Sequence, residues 1–309
     1  MMIAVTMRIA DEVADALAAQ QAVVALESTL LAHGLPPGRN REVAQRLEDT
    51  VRAAGAIPAT IAVLDGQPVV GLSAAELDRV CAPDADLVKL SRRDLAPALA
   101  LGRSGATTVA STAALADAAG IGVFATGGLG GVHRGARLSW DVSADLDVLA
   151  STPVLVVCSG VKSVLDIGAT LEVLETRSVP VLGYRTDAFP AFYLRESEFE
   201  VPWRVDDAAQ AAAVVAAHRA QVPGGSGVLL ANPVPVDHEM PRDLHDRLLE
   251  EGLALLAERQ VHGKDVTPVL LEHFHTASGG VSLDANEALV LSNAALAAET
   301  AVALAGWRE

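Results

Sequence analysis

The chain has 309 residues, of which 51% are hydrophobic and only 3% aromatic, and its formal net charge is −16 at pH 7. This composition excludes a disordered chain and predicts a globular protein whose core consists mainly of Ala, Val and Leu. The acidic balance argues against a nucleic-acid polymer as partner. A nucleotide-like ligand would therefore be small and held in a local cationic pocket.

Two features of the sequence predict where the protein works. Cys81 and Cys158 lie in apolar surroundings, which is typical of reduced core thiols rather than of a disulfide framework. The N-terminal segment lacks the cationic-then-apolar order of a signal peptide, and no uninterrupted apolar run reaches about 18 residues. We therefore expect a cytoplasmic protein that does not span a membrane.

Short apolar runs alternate with stretches of helical spacing along most of the chain. The helical stretches cover residues 10–20, 41–54, 112–119, 163–176 and 206–219. The apolar runs lie at residues 22–26, 60–64, 109–110, 122–125, 154–158, 179–182 and 227–231. Several are apolar throughout, as in strands buried on both faces of a mostly parallel sheet. This alternation predicts an α/β layered fold.

Two further patterns complete the predicted fold. Residues 61–72 are typical of a β-hairpin with Asp65-Gly66 at the turn, so the sheet is expected to be mixed rather than purely parallel. After residue 235 the pattern is helical to the end, at residues 242–259, 267–277 and 286–305. We expect a single domain over residues 1–309 with a helical C-terminal third.

Polar residues interrupt the apolar pattern at five places. The first contains a carboxylate, and the second contains three cations. Glu27 follows an apolar run directly, at the strand end where open α/β sheets bind ligands. Partial burial would raise its pKa and suit it to general acid catalysis; a helix cap or a salt-bridge partner is the alternative. Lys89, Arg92 and Arg93 could hold an anion or form a solvated surface.

The next two places are rich in hydroxyls and in glycine. Residues 104–108 precede an Ala-rich helical stretch, and they could cradle a phosphate or simply cap the helix. Residues 126–135 contain five glycines together with His133 and Arg134. Their spacing matches neither the Walker loop nor the dinucleotide fingerprint. A loop that approaches a ligand closely and a flexible turn both fit this composition.

The remaining polar residues follow the glycine-rich loop. Asp141 and Asp145 flank Ser143, and together they could bind a hard divalent cation or begin a solvated acidic helix. Lys162 comes after the apolar run at 154–158 and a turn of small residues. Between apolar walls and other cations its amine would be partly neutral and therefore nucleophilic; a solvated strand end is the alternative.

Taken together, these stretches resemble the pseudouridine-5′-phosphate glycosidases, also called the indigoidine-synthase-A-like group. The shared motifs occur in order over nearly the whole chain and include "ALESTLLAHGLP", "KLSRRDL", "GATTVAST", "VFATGGLGGVHRGA", "DVSADL", "VCSGVKS", "ANPVP" and "SLDANEALVLSNAALAAETAVAL". The resemblance implies a three-layer α/β/α sandwich, a divalent metal that is usually manganese, and a homotrimer. It also implies reversible cleavage of pseudouridine 5′-phosphate to uracil and ribose 5-phosphate.

The resemblance also implies a role for each matching position. Glu27 matches the proton donor, Lys162 the nucleophile and Asp141 the metal ligand. The positions that match substrate-binding or pocket-lining residues are Lys89, Thr108, Val109, His133, Ser143, Ala144, Asp145 and Asn286. The core motifs contain no substitution, and the one mild departure is the segment "PPGRN" after "HGLP".

The implied reaction suits these residue types. The bond to be broken joins two carbons, so there is no leaving oxygen for the two-carboxylate route of ordinary glycosidases. Attack of a lysine on the anomeric carbon with ring opening leads instead to an iminium, and uracil departs once its carbon 5 is protonated. Lys162, Glu27 and the loop with His133 and Arg134 would supply the amine, the acid and the phosphate anchor.

Three other functions stay open at this point. The first is a related C-glycoside lyase or synthase in a secondary-metabolite pathway. The second is a carbohydrate or nucleoside kinase, which the missing Walker loop disfavours. The third is a binding protein without catalytic activity, although the intact motifs argue against it.

Overall fold

A computed structural model describes residues 6–222, 225–261, 263 and 266–307, so the ends of the predicted domain lie outside the described residues. The strands are β1 Arg8–Ile9, β2 Val23–Leu26, β3 Ile57–Leu64, β4 Gln67–Val70, β5 Val88–Leu90, β6 Gly105–Thr107, β7 Val123–Ala125, β8 Val132–His133, β9 Leu155–Cys158, β10 Leu165–Asp166, β11 Val181–Tyr184, β12 Trp203–Val205 and β13 Val228–Ala231. The helices are α1 Asp11–Ala18, α2 Thr29–His33, α3 Arg39–Ala53, α4 Ala74–Cys81, α5 Leu95–Ala100, α6 Val109–Ala118, α7 Ala136–Ser139, α8 Ala144–Ser151, α9 Ile167–Thr176, α10 Ala208–Gln221, α11 Arg242–Glu258, α12 Val266–Ala277 and α13 Val281–Ala305.

The central sheet is mixed and mostly parallel, as the sequence predicts. Its order is β1-β4-β3-β2-β7-β9-β13-β11-β12, and every pair from β3 to β12 in this order is parallel. The middle strands are buried along their whole length, which explains their continuous apolar runs. The expected hairpin is also present, because β3 and β4 pair antiparallel around Asp65-Gly66.

The helices cover both faces of the sheet, and this confirms the α/β/α sandwich. The connection from β2 to β3 contains α3, and the connection from β7 to β9 contains α8. These two crossovers run in opposite directions along the sheet, so right-handed connections place α3 and α8 on opposite faces. Helices α3, α10 and α13 pack together in one layer, and α6 packs with α8 in the other.

Helix α13 is the main core helix of the first layer. It packs on β2, β7 and β9 as well as on α3 and α10. By length and composition it could cross a membrane, but 56% of its most apolar window is buried inside the protein. Its buried residues include the polar side chains Ser282, Asn286, Glu287, Asn293 and Thr300. A helix that is apolar on most sides and packed on a sheet belongs to the core of a globular protein.

Strands β5 and β6 belong to the central sheet and branch from β3. Strand β3 pairs with β2 through its first half and with β4 through its second half. Strand β6 also pairs with the second half of β3. It uses the edge of β3 that is free beyond the end of β2. Strand β5 pairs in parallel with β6. Lys89, in the middle of β5, is thereby brought to the carboxyl end of β2.

Three local expectations differ from the structure. Residues 109–110 are not a strand, because Thr108 is the N-cap residue of α6 and the strand lies just before it, at Gly105–Thr107. Helix α9 begins at Ile167 rather than at residue 163, with Asp166 capping its first turn. Helix α13 begins five residues before the predicted position. In each case a local cap or turn determines where the helix begins, and the spacing of apolar residues does not indicate that position.

The side chain of Asn293 joins the ends of three neighbouring strands. This residue of α13 is fully buried. Its Nδ2 donates to the carbonyl of Thr126 at 2.8 Å and to Ser159 Oγ at 3.1 Å, and its Oδ1 accepts from Asn232 Nδ2 at 2.9 Å. These partners directly follow β7, β9 and β13. One amide therefore joins a backbone carbonyl at the end of β7 to the side chains that follow β9 and β13.

We expect the variant Asn293→Leu to lose about 3 kcal/mol of unfolding free energy, because it leaves several buried polar groups without partners. Urea denaturation followed by circular dichroism measures this loss. The matched control is Thr300→Val on the same helix, since the Thr300 hydroxyl only donates to Leu296 one turn earlier. The control should lose less than about 1 kcal/mol, and equal losses in the two variants would contradict this role of Asn293.

Candidate active site

Two connected chambers lie at the carboxyl ends of β2, β7 and β9, which is where open α/β sheets bind ligands. The inner chamber has a volume of about 50 Å³ and the outer one of about 360 Å³, so the outer chamber alone reaches the size range of small-molecule sites. The residues that line both chambers are Glu27, Thr29, Lys89, Lys162 and Thr267. A ligand could therefore extend from one chamber into the other past these side chains.

The structure brings every residue to which the family resemblance gives a role to this cavity. The outer chamber is lined by Glu27, Lys89, Thr108, Val109, His133, Asp141, Ser143, Ala144, Asp145 and Lys162. Asn286 lines the inner chamber. Arg134, which the sequence suggested as part of a phosphate anchor, lines neither chamber, and its charge lies near His245 instead.

Glu27 is the carboxyl group at the end of β2, and burial dominates its electrostatics. Burial raises its pKa above the usual range, while the charge of Lys162 and a hydrogen bond from Thr126 oppose this rise. Asp145 adds a small increase and Lys89 a small decrease. A carboxyl group with a raised pKa keeps its proton to higher pH and can act as a general acid.

Lys162 lies in the loop after β9, and this loop is fastened to the glycine-rich loop after β7. Its backbone N–H donates to the carbonyl of Leu129 at 3.2 Å. Further along, β8 and β10 pair antiparallel, with His133 opposite Leu165. Gly160 begins this segment with a φ of 76°, and a Cβ there would overlap the carbonyl oxygen of Pro190. The backbone that carries Lys162 is therefore held on both sides.

Two helix N-termini face the outer chamber. Thr108 and Ser143 are the N-cap residues of α6 and α8, and both line this chamber. The carboxylate of Asp145 links them, because it accepts from the backbone N–H of Ala110 at 2.9 Å and from that of Gly130 at 2.8 Å. Both oxygens of Asp145 are engaged in this way, and a cation held by Asp141 and Asp145 stays a prediction.

Asp141 and His133 form the polar pair at the mouth of the outer chamber. His133 Nδ1 lies 3.8 Å from Asp141 Oδ2, and the His133 backbone N–H donates to the Asp141 carbonyl at 3.0 Å. Burial lowers the pKa of His133, and the charge of Asp141 opposes this effect. Among the described residues, no cluster of three or more His, Cys, Asp or Glu side chains could hold a metal ion.

Comparison with known proteins agrees with this geometry. The family model for indigoidine synthase A-like proteins matches residues 12–303. The chain is 57% identical to a pseudouridine-5′-phosphate glycosidase of Salinispora tropica over 95% of this chain and 90% of that protein. It is 53% identical to the enzyme of that name from Herpetosiphon aurantiacus over 96% of this chain and 97% of that protein. The chain belongs to the indigoidine synthase A-like family.

A solved structure of a relative shares the fold over the same length. It is the prealnumycin C-glycosynthase AlnA in complex with ribulose 5-phosphate, which is 41% identical, with a TM-score of 0.89 over 97% of each chain. Membership of the indigoidine synthase A-like family thus covers the whole described fold rather than one motif.

Thr29 and His33 are cavity residues to which the sequence gave no role, and they share a property with Asn286. Within the described part of the chain, the buried atoms Thr29 Oγ1, His33 Nε2 and both amide atoms of Asn286 have no hydrogen-bond partner. All three residues line the inner chamber. Thr29 and His33 lie in the segment "ALESTLLAHGLP". They are two of the few polar residues in this segment, and this was the sequence signal that could have indicated a role for them. Unpaired polar atoms in a buried chamber are ready to bind a ligand that has donors and acceptors.

The lysine content is a second signal that the sequence offered. The chain contains only three lysines, at positions 89, 162 and 264. Lys89 and Lys162 both line the cavity, and Lys264 lies outside the described residues. In a chain with 20 arginines and three lysines, two lysines in one cavity indicate a function that arginine cannot perform, such as forming an iminium.

We expect Gly160→Ala to lose more than about 3 kcal/mol of unfolding free energy and nearly all activity, because the new methyl group would displace the backbone that carries Lys162. The matched control is Gly120→Ala, which has a φ of 83° but open space around the added Cβ. The control should lose about 1 kcal/mol from backbone strain alone. Thermal and urea unfolding of both variants measure the difference, and equal losses would mean that the contact with Pro190 is unimportant.

Proposed function

We propose that this protein catalyses the reversible cleavage of the carbon–carbon glycosidic bond of pseudouridine 5′-phosphate, giving uracil and ribose 5-phosphate. The observation that carries this proposal is the cavity that Glu27, a partly buried carboxyl group, lines together with two of the three lysines of the chain. Its relatives with 53–57% identity bear the name of this activity. The proposed class of enzyme is a lyase that acts on a C-glycoside.

The first proposed step is covalent attack by Lys162. The neutral amine forms a bond to the anomeric carbon, the bond from that carbon to the ring oxygen breaks, and the ring oxygen takes up the proton that the nitrogen loses. The nitrogen is left as a neutral secondary amine with a lone pair. Lys89 lies close enough to influence the same carboxyl group as Lys162, and we assign it to substrate binding. The result is an open-chain sugar joined to the enzyme through nitrogen, with the base still attached.

The second proposed step releases the base. Glu27 donates its proton to carbon 5 of uracil, and the bond between carbon 5 and the anomeric carbon breaks with its electron pair passing to the base. The nitrogen lone pair of Lys162 then completes the iminium, and water hydrolyses it to ribose 5-phosphate. A raised pKa of Glu27 favours this step, because the carboxyl group must carry a proton when the base leaves.

The two chambers suggest how the substrate is oriented. The N-termini of α6 and α8, with Thr108, Val109, Ser143, Ala144 and Asp145, face the outer chamber and suit the phosphate. The inner chamber offers Asn286 with an unpaired donor and an unpaired acceptor, which match the N–H and C=O groups of uracil. Lys162 and Glu27 lie where the chambers meet, next to the bond that breaks.

A divalent metal, manganese by the family resemblance, is part of this proposal. Asp141 offers one carboxylate oxygen to the outer chamber, with the His133 ring nearby, and such a donor set suits a hard cation that keeps several waters. The metal would supply positive charge near the phosphate. Asp141, His133 and the two helix N-termini would then orient the phosphate, and this fixes the distance of the sugar from Lys162.

Two properties of the protein itself are also proposed from the resemblance. We propose that the protein is a homotrimer and that it works in the cytoplasm. Cys81 and Cys158, both buried and unpaired, are compatible with a reducing compartment. Analytical ultracentrifugation tests the trimer directly, and a mass other than three times 31.9 kDa would contradict it.

The alternative substrate is another C-glycoside, since the relative AlnA bears the name of a C-glycosynthase. The same lysine chemistry would serve either substrate. An absorbance assay of uracil release from pseudouridine 5′-phosphate separates the two, because an enzyme specialised for a different aglycone would release little uracil.

We expect Lys162→Ala to abolish both turnover and the borohydride-stable adduct with ribose 5-phosphate, because the variant lacks the amine that forms the iminium. Lys89→Ala is the matched control from the same cavity and should still form the adduct. Mass spectrometry of the intact protein and of its peptides measures the adduct. Trapping that persists in Lys162→Ala and disappears in Lys89→Ala would reverse the assignment of the two lysines.

We expect removal of metal by a chelator to lower activity at least about 10-fold, and Mn²⁺ to restore it. Asp141→Asn should raise the Mn²⁺ concentration needed for half-maximal activity, because it removes the charge from the carboxylate ligand. Activity measured against added Mn²⁺ checks both statements. Full activity in the presence of chelator would contradict both the need for a metal and the proposed role of Asp141 as its ligand.

A further inference from the structure

Thr126 is a buried residue behind the cavity, in contact with Glu27, to which the sequence gave no role. It follows β7 directly and is 1% exposed. Its hydroxyl donates a hydrogen bond to Oε1 of Glu27. Thr126 and Glu27 thus join the carboxyl ends of the neighbouring strands β7 and β2 through their side chains.

The backbone of Thr126 is fixed independently of this hydroxyl. Its N–H donates to the carbonyl of Val157 at 3.0 Å, and its carbonyl accepts from Asn293 Nδ2 at 2.8 Å. The hydroxyl is therefore presented to Glu27 from a rigid position. Because the backbone bonds hold the junction of β7 and β9, removal of the hydroxyl alone should leave that junction intact.

Glu27 needs a fixed orientation in this cavity. The charged groups that face it are Lys162, Lys89 and Asp145. Without a neutral anchor, its carboxyl group could rotate toward the lysines and pair with them. A hydroxyl that donates to Oε1 restricts this rotation and leaves Oε2 to carry the proton.

We propose that Thr126 is a positioning residue for the proposed reaction: its hydroxyl holds Oε1 of Glu27, so that the transferable proton is carried by Oε2 and directed at the leaving base. This inference rests on the proposed function. In the cleavage direction the Oε2 proton moves to carbon 5 of uracil, and Glu27 becomes a carboxylate. The Thr126 hydrogen bond is then charge-assisted and stronger than before, so it stabilises the charge that develops as the proton leaves.

The variants Thr126→Val and Thr126→Ser test this role, since Val keeps the shape without a hydroxyl and Ser keeps the hydroxyl. We expect Thr126→Val to lower kcat by about 10- to 100-fold with little change in KM. The pKa of Glu27 should rise by about one to two units, because the carboxylate loses a donor. Thr126→Ser should restore both values. Uracil release gives the kinetics, and ¹³C NMR of glutamate carboxyls gives the pKa, with the Glu27 signal assigned by its absence in Glu27→Gln.

The control is Thr300→Val, which removes a buried hydroxyl from α13 without contact to the cavity and should leave kcat unchanged. Thr126→Ala replaces Thr126→Val if the latter does not fold. An unchanged pKa of Glu27 in Thr126→Val, or a loss of kcat that Thr126→Ser does not restore, would overturn the role of Thr126 alone. No uracil release by the unaltered protein would overturn the proposed reaction and this role together.

Discussion

The hydrogen bonds of Asn293 are the interaction on which the cavity depends. Parallel strands that end side by side leave backbone groups unpaired, and the carbonyl of Thr126 after β7 is such a group. The amide of Asn293 binds residues that follow β7, β9 and β13. Because α13 is buried along the sheet, its position also determines how far the glycine-rich loop and the Lys162 loop lie from the strand ends. Thr126, and through it Glu27, depend on the same bonds.

The electrostatic arrangement of the cavity is unusual for so acidic a chain. With a net charge of −16, the protein would repel an anionic substrate from most of its surface. Attraction must come from local groups, and the described residues supply Lys89, Lys162 and the N-termini of α6 and α8 at one end of the sheet. Among these charges Glu27 keeps a raised pKa because burial outweighs the two cations. A carboxyl group that keeps its proton to higher pH is what the proposed proton transfer needs.

Local patterns predicted most elements of the fold and failed where a cap decided the outcome. The apolar runs at 22–26, 154–158 and 227–231 became the buried strands β2, β9 and β13, because strands covered on both faces need no alternation. The run at 109–110 became the first turn of α6, since Thr108 has the extended backbone of an N-cap. Two apolar residues carry too little periodicity to distinguish these outcomes.

The sequence by itself determined the fold class, the hairpin at Asp65-Gly66 and the set of polar residues at strand ends, because these follow from periodicity, turn chemistry and matching motifs. Only the tertiary structure decided which of those residues meet. Lys89 reaches the cavity because β5 and β6 lie beyond the end of β2, and Asp145 accepts hydrogen bonds from the backbone N–H groups of Ala110 and Gly130. Both outcomes depend on pairings between residues far apart in the chain, which no local pattern encodes.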